Sequence, residues 1–224
     1  MKYTYIILLA FLYVFSSCDD MNSLHDIYLE DGERIYLGKV DSAYVFPGKN
    51  RVKLRYWPSD PRATKMVVYW AGRSDSLLVD INPEEVGESS DVIIENLEEY
   101  DHFFEIITMN NQLKNKSIPY TLSGKVFGDV FAQTLSQRTI REVVLDTTSG
   151  IWSIDWLGKV ERGIGTDILY TDKTGMEIKQ FASMDESITV LQDSISELKY
   201  RTLFLPAADA LDTFYTEYVA YPIP

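Results

Sequence analysis

Short runs in which every second residue is apolar recur in this chain after one hundred residues, and this repeat constrains the fold more than any other feature. The run Val52-x-Leu54-x-Tyr56 returns as Trp152-x-Ile154-x-Trp156. A strand buries alternate residues, so runs of equal parity indicate equal inward faces. Two further sets repeat at this offset: Met66, Val68 and Trp70 with Thr166, Ile168 and Tyr170, and Tyr100 and Phe104 with Tyr200 and Phe204. We therefore predict a tandem duplication of one β-module.

Each half of the chain supplies the strands of one sandwich. Long helical periodicity is scarce, and turn signals such as Pro47-Gly48-Lys49-Asn50 and Asp172-Lys173-Thr174-Gly175 separate the alternating runs. The predicted strands are 42–46, 51–57, 64–70, 76–81, 91–97, 102–109 and 120–126, then 140–146, 151–157, 167–171, 176–181, 187–191, 199–205 and 213–219. This order resembles a fibronectin type III-like or immunoglobulin-like sandwich. We predict an all-β fold with two such sandwiches at 34–126 and 139–224, joined by a linker at 127–138.

The corner before the sixth strand departs from the usual pattern of such sandwiches. A tyrosine in this corner commonly donates a hydrogen bond from its hydroxyl to the backbone a few residues upstream. The spacing from Leu97 to Phe103 matches that corner, but phenylalanine stands where tyrosine is usual. The sequence therefore predicts a corner that lacks the hydroxyl hydrogen bond.

The first residues read as a cleaved leader. Lys2 precedes an apolar stretch at 6–15 that is too short to span a bilayer and has the length of a signal-peptide core. Two serines then precede Cys18, the single cysteine of the chain, in an arrangement that resembles a bacterial lipobox. We predict a lipoprotein signal peptide at 1–17, lipid on Cys18 that holds the protein to the membrane, and a polar tether at 18–33. The alternative is an ordinary signal peptide with a chance cysteine.

Two acidic residues follow the cysteine directly. Asp19 and Asp20 resemble the surface-export signal of Bacteroidota lipoproteins. This pattern favours an outer-membrane protein that faces the cell exterior, although a simply solvated tether is the alternative. The expected localisation follows from this resemblance.

Charge and composition exclude several functions. The formal net charge is −13, and loss of Lys2 with the leader makes it −14. A domain this acidic repels phosphate backbones, so we predict no nucleic-acid partner. No second cysteine exists, so the core must form without an intramolecular disulfide.

Catalytic and metal-binding patterns are scarce. The two histidines are His25, in the predicted tether, and His102, on a predicted strand where a structural role is the usual one. The sequence contains no G-x-S-x-G elbow, no H-E-x-x-H motif and no cysteine–histidine cluster. We predict a protein that is not an enzyme and that holds no metal or cofactor. A glycosidase, which needs only two carboxylates at a fixed separation, is the enzymatic alternative.

Exposed aromatic rings are the best candidates for a binding surface, because sugars stack their apolar faces on such rings. Trp57 has the opposite parity to Leu54 and Tyr56, and Tyr69 has the opposite parity to Val68. Both should therefore point outward, and we predict that Trp57 and Tyr69 bind glycan. Packing against the tether or the other domain is the alternative role for these two rings.

Several segments together resemble a known family. They are DGERIYLGKVDS at 31–42, YWPSDP at 56–61, VYWAG at 68–72 and YRTLFLPAADALDTFYTEY at 200–218. They look like an uncharacterised Bacteroidota lipoprotein family that is often found beside polysaccharide-utilisation genes. The resemblance implies a surface lipoprotein with sandwich domains and an accessory, glycan-binding role. A structural spacer or adaptor is the alternative, so the expected partners are polysaccharide or other surface lipoproteins, besides the membrane itself.

Overall fold

A computed structural model describes residues 36–191 and 195–223. Within these residues the chain forms strands β1 to β15, one short α-helix, α1, at Asp129–Gln133, and two 3-10 helices at Ala71–Arg73 and Pro83–Glu85. The predicted lipid site Cys18 and the predicted export signal Asp19 and Asp20 lie outside the described residues. No helix in the described part of the chain is long and apolar enough to cross a membrane.

The first sandwich consists of two antiparallel sheets. The strands are β1 (Ser42–Pro47), β2 (Arg51–Trp57), β3 (Lys65–Trp70), β4 (Asp75–Asp80), β5 (Ser90–Glu95), β6 (Asp101–Met109) and β7 (Tyr120–Lys125). One sheet has the order β1-β2-β5 and the other the order β4-β3-β6-β7. The inward residues of β2 and β3 and those of β6 meet in one buried cluster that includes Leu54, Val68 and Phe104. The alternation in the sequence therefore describes the core correctly.

The second sandwich repeats this order. The strands are β8 (Ile140–Asp146), β9 (Ile151–Trp156), β10 (Gly163–Thr171), β11 (Glu177–Ser183), β12 (Ile188–Val190), β13 (Glu197–Phe204), β14 (Phe214–Tyr215) and β15 (Val219–Tyr221). The sheets are β12-β9-β8 and β11-β10-β13, and β14 and β15 both pair with the remaining edge of β13. The predicted all-β fold with tandem fibronectin type III-like sandwiches is confirmed.

The repeat is not uniform along the chain. Val68 pairs with Ile106 on β6, whereas Ile168 pairs with Tyr200 on β13. The third strands are thus offset by one hundred residues, but the sixth strands are offset by ninety-four. The predicted match of Phe104 with Phe204 is therefore wrong, because the second copy has shorter connections before its sixth strand. The ring of Phe204 lies in a separate cluster with Phe127 and Phe214.

An aromatic cluster joins the linker to the end of the second sandwich. The rings of Phe127 and Phe131 lie 4.9 Å apart, and those of Phe131 and Phe214 lie 5.1 Å apart. Glu99, in the corner of the first sandwich, accepts hydrogen bonds of 2.7 Å from the backbone N–H groups of Val130 and Phe131. These donors would otherwise be unsatisfied at the start of α1. The linker is therefore packed and capped.

A polar clamp joins the two sandwiches directly. The Asp212 carboxylate accepts two hydrogen bonds from the Arg51 guanidinium, at 2.6 and 3.0 Å, and one of 2.8 Å from the Lys49 backbone N–H. Beside it, the Leu211 N–H donates to the Pro47 carbonyl at 2.7 Å. The loop before β14 is thus fastened to the turn between β1 and β2.

His102 occupies the corner that the sequence assigned to Phe103. The Phe103 side chain points outward and is 75% exposed. The buried His102 ring stacks on Tyr100 at 4.0 Å, and its Nε2 donates to the Glu98 carbonyl at 2.9 Å. The corner thus lacks the hydroxyl hydrogen bond, as the sequence predicts, and His102 makes an upstream backbone bond through its ring nitrogen instead.

Arg138 is a buried cation inside the second sandwich. Its guanidinium donates to four backbone carbonyls, those of Gly158, Ser183, Met184 and Glu186, at 2.5 to 3.4 Å. It also lies 4.5 Å from the centre of the Trp156 ring. Burial lowers the pKa of Arg138. This side chain ties the lead-in to β8 to two loops of the same sandwich.

Candidate ligand-binding surfaces

Trp57 and Tyr69 lie on different sheets of the first sandwich. Trp57 ends β2 on the outer face of the three-stranded sheet, and Tyr69 lies on β3 on the outer face of the four-stranded sheet. The core separates these two faces, so the rings cannot contact one ligand surface together. Tyr69 packs against Val67, Ile107 and Met109. That each ring binds glycan stays a prediction, now for two separate places.

The outer face of the three-stranded sheet carries a second aromatic ring beside Trp57. Tyr44, on β1, is 59% exposed, and its ring meets that of Trp57 edge-on at 5.7 Å. Tyr44 is paired across the sheet with Arg55, which is paired with Asp91. We call Tyr44, Arg55, Trp57 and Asp91 the Tyr44–Trp57 face. It combines apolar ring surface with polar groups in adjacent rows.

The polar groups of the Tyr44–Trp57 face are fixed by their own pairing. Arg55 donates to both Asp91 oxygens, at 2.7 and 2.8 Å, and Lys53 Nζ lies 3.5 Å from Asp91. The hydrogen bond from Arg55 lowers the pKa of Asp91, so this carboxylate is ionised at neutral pH. A fixed donor–acceptor pair beside exposed rings is the combination that small polar ligands use for orientation.

The second sandwich shows that the fold does not require these rings. The position equivalent to Trp57 is Leu157, which is 59% exposed. Val45 pairs with Leu54 as Val143 pairs with Ile154, so Glu142 stands where the first copy has Tyr44. The same strands therefore form without either aromatic ring.

A second surface lies on the four-stranded side of the second sandwich. One row across this sheet holds Phe181 on β11, Asp167 on β10 and Arg201 on β13, all on the outer face. The Arg201 guanidinium lies 4.3 Å from the Tyr215 ring centre and 4.8 Å from that of Tyr218. The gap between β14 and β15 gives these two tyrosines their positions beside the arginine. An interrupted edge strand of this kind commonly redirects side chains at functional surfaces.

The charges of this second surface converge on one carboxylate. Asp167 Oδ2 accepts from Arg201 Nε at 3.0 Å and Nη2 at 2.8 Å, and Lys179 Nζ lies 3.0 Å away. The Asp167 side chain is only 6% exposed, whereas that of Lys179 is 56% exposed. One oxygen of this buried carboxylate therefore holds two cations in place.

The described residues contain no cluster of three or more histidine, cysteine, aspartate or glutamate side chains that could hold a metal ion. A cavity of about 370 Å³ lies between the linker and the second sandwich, lined in part by Leu135, Val160 and Arg162. It brings together no pair of titratable groups that would suggest chemistry. The two aromatic surfaces are thus the stronger candidates.

Sequence reasoning missed most members of both surfaces. Tyr44 has the outward parity of Trp57 in a paired strand, and this could have been found once the register of β1 was fixed. Phe181, Arg201 and Tyr215 depend on pairings between distant strands and on the break in the last strand, for which the sequence carries no separate signal.

The fold and these surfaces define a tandem fibronectin type III-like protein with outward aromatic faces. The chain belongs to the family DUF4998, described as a domain of unknown function, which matches residues 18–214. It is similar to a two-domain fibronectin type III segment of chicken tenascin, with 14% identity, a TM-score of 0.31 and coverage of 82% of this chain and 98% of that one. It is also similar to the FN1–FN3 domains of chicken CNTN1, with 14% identity, a TM-score of 0.43 and coverage of 85% and 66%. No curated protein matches the sequence.

Proposed function

We propose that this protein is a non-enzymatic outer-membrane lipoprotein, anchored through Cys18 and facing the cell exterior, that binds glycan as an accessory of a Bacteroidota polysaccharide-utilisation system. The Tyr44–Trp57 face is the proposed binding surface. The lipobox-like sequence and the acidic pair after Cys18 support the location. A sandwich framework, which carries its function on exposed faces and loops, supports binding over catalysis.

The observation that carries this proposal is the contrast between the two copies. The Tyr44–Trp57 pair occupies outward positions at which the second copy has Glu142 and Leu157. Tyr44 is exposed and Trp57 is half-buried, at positions where the fold does not need an aromatic ring, so a ligand is the better explanation of their presence. The neighbouring Arg55–Asp91 pair supplies the donors and acceptors that sugar hydroxyls require.

Affinity electrophoresis in gels that contain neutral polysaccharides tests the proposal. Trp57→Ala and Tyr44→Ala should each weaken retardation by about two- to tenfold, because an aromatic contact contributes roughly 0.5–1.5 kcal/mol. Leu157→Ala, at the equivalent position of the second copy, is the matched control and should change nothing. Melting temperatures are measured in parallel, and Tyr44→Ala, at the more exposed ring, should leave this temperature nearly unchanged.

Two results would contradict this assignment. Equal retardation of the wild type, Trp57→Ala and Tyr44→Ala would show that the Tyr44–Trp57 face does not bind glycan. Loss of retardation in Leu157→Ala as well would indicate a general effect on the protein.

A rigid spacer or adaptor that holds a protein partner is the second candidate function. The observation that favours it is the clamp of Asp212 on Arg51 and Lys49, together with the aromatic cluster at the linker. A fixed junction suits projection of a surface from the membrane. Absence of retardation by every polysaccharide would favour this candidate over glycan binding.

A further inference from the structure

The outer face of the four-stranded side of the second sandwich carries a charged pair at its centre that the fold does not require. Asp167 pairs with Arg201 across β10 and β13, as Val67 pairs with Ile107 across β3 and β6. The two positions are equivalent, because Arg201 directly precedes Thr202 on β13 as Ile107 directly precedes Thr108 on β6. Both threonines also bind the lead-in strand: Thr108 donates to the Gly38 carbonyl, and Thr202 accepts from the Arg138 N–H.

A buried ion pair at this position is a poor choice for stability alone. Replacing a buried pair by well-packed apolar residues is often neutral or stabilising, and the first copy uses Val67 and Ile107 at these positions. Asp167 is buried and receives Arg201 and Lys179 on the same oxygen. Stability alone therefore does not explain the pair, and its geometric effect is to fix two cations beside Asp167.

Aromatic rings flank this pair on both sides. The Phe181 ring lies directly over Gly165, since a Cβ on that glycine would come within 2.2 Å of the ring. Phe181 is 54% exposed and Tyr215 is 54% exposed. The strands that carry them are separated by three strand spacings, or about 14 Å. This is a strip of ring surface long enough for more than one sugar residue.

The charges along the strip are mixed, with cations at its centre. Lys199 is exposed and lies in the same row as Lys179, next to the row of Arg201. Asp167 cancels one of these three positive charges. The surrounding carboxylates, Glu177, Glu197 and Glu217, lie at the next row or in the turn after Tyr215. The two central rows, which hold Lys179, Lys199, Arg201 and Asp167, therefore carry a local charge of +2 on a chain with a net charge of −13, and this local charge favours an anionic ligand.

We infer that the strip formed by Phe181, Lys179, Arg201, Lys199 and Tyr215 binds carboxylate-bearing sugars of an acidic polysaccharide. The rings stack on the apolar faces of the sugars, and the two lysines receive the carboxylates. Arg201 acts as a positioning residue, since Asp167 and the two tyrosines fix its plane. This inference rests on the proposed glycan-binding function, but it uses another sheet and another sandwich.

The test is affinity electrophoresis of the full chain in gels that contain polygalacturonate. The double variant Lys179→Gln/Lys199→Gln should lose about tenfold in affinity, because it removes two charge-assisted contacts. Phe181→Ala should lose about fivefold through the missing ring. Lys173→Gln, which removes one positive charge from the exposed turn between β10 and β11, is the control and should lose less than about twofold. Added salt should weaken the binding.

Three results would overturn the inference. The first is absence of binding to polygalacturonate, and the second is an equal loss in the control Lys173→Gln and in Lys179→Gln/Lys199→Gln. The third is binding to poly-glutamate that is as tight as binding to polygalacturonate, with no effect of Phe181→Ala. This result would show that the strip attracts anions through charge alone and does not recognise sugars. Neutral-glycan binding that depends on Trp57 would survive any of these results, so failure here is distinct from failure of the proposed function.

Discussion

The buried guanidinium of Arg138 provides the sharpest test of how the second sandwich is held together. It donates to four backbone carbonyls and lies over the Trp156 ring at 4.5 Å. Each such hydrogen bond contributes about 1 kcal/mol net, and part of this gain offsets the cost of burying the cation. Arg138→Met retains the apolar contact with the ring but leaves the carbonyls without their donor. We expect a loss of about 3 kcal/mol in the free energy of unfolding.

Urea unfolding followed by tryptophan fluorescence measures this loss, since Trp152 and Trp156 report on the second sandwich. Arg141→Met is the control, because Arg141 is 54% exposed and makes one contact of 3.0 Å with Asp155. Arg141→Met should lower the free energy of unfolding by less than about 1 kcal/mol. Arg138→Lys should lower the free energy of unfolding by about 2 kcal/mol, because an ammonium has only three donors and lacks the planar donor arrangement of a guanidinium.

The reasoning about Arg138 would be refuted if Arg138→Met and Arg141→Met unfolded at the same urea concentration with equal slopes. That result would mean that water satisfies the carbonyls as well as the guanidinium does. An Arg138→Lys variant as stable as the wild type would show that the planar geometry is unimportant.

Two further predictions concern the junction and the anchor. Asp212→Asn should lower the free energy of unfolding by about 1 kcal/mol at neutral pH. The hydrogen bond from Arg51 lowers the pKa of Asp212 in the folded protein. The contribution of Asp212 to stability is therefore complete above its pKa in the unfolded chain, ~4, and disappears as the pH falls through its pKa in the folded protein. Urea unfolding should thus show the gap closing in acid, and a gap that does not shrink at all as the pH falls below ~4 would contradict it. Cys18→Ala should shift the protein from the membrane fraction to the soluble fraction, and protease treatment of intact cells should release the wild-type domain; protection from protease would place it on an inner surface.

The strand order was predictable from the sequence because it depends on local alternation. The run at β2 is buried as its parity indicates, and in its repeat at β9 Ile154 and Trp156 are buried and Trp152 is partly buried. The offset of the sixth strands was not predictable in the same way. Matching Phe104 to Phe204 used residue type and a constant offset of one hundred residues, whereas the register is fixed by pairing with β3 and β10.

The burial of Arg138 was also beyond the sequence. A lone arginine in a predicted linker resembles any solvated cation, and its four carbonyl partners come from segments twenty to forty-eight residues away. His102 presents the reverse case. Its strand position was predicted and its structural role was the expected one, but its bond to the Glu98 carbonyl depends on a corner geometry that residue type does not reveal.

Comparison of the two copies distinguishes residues that the fold requires from residues that it does not require. Positions that stay apolar in both copies, such as Leu54 and Ile154, belong to the cores. Positions that differ on the outer faces are free to carry function. By this comparison the first sandwich has aromatic residues on its three-stranded sheet, where the second has Leu157. The second has a charged pair on its four-stranded side, where the first has Val67 and Ile107.

The architecture shared by the two copies and their divergent outer faces together support the proposal of two binding surfaces in this chain. If the two sandwiches served only as a spacer, nothing would favour an aromatic pair in one copy and an ion pair flanked by aromatic rings in the other. The clamp between Arg51 and Asp212 then has a consequence for binding, because it fixes the spacing between the two faces. A polysaccharide that engages both faces would gain affinity from this fixed spacing, since the second contact becomes intramolecular. Asp212→Asn would reduce that gain without touching either face.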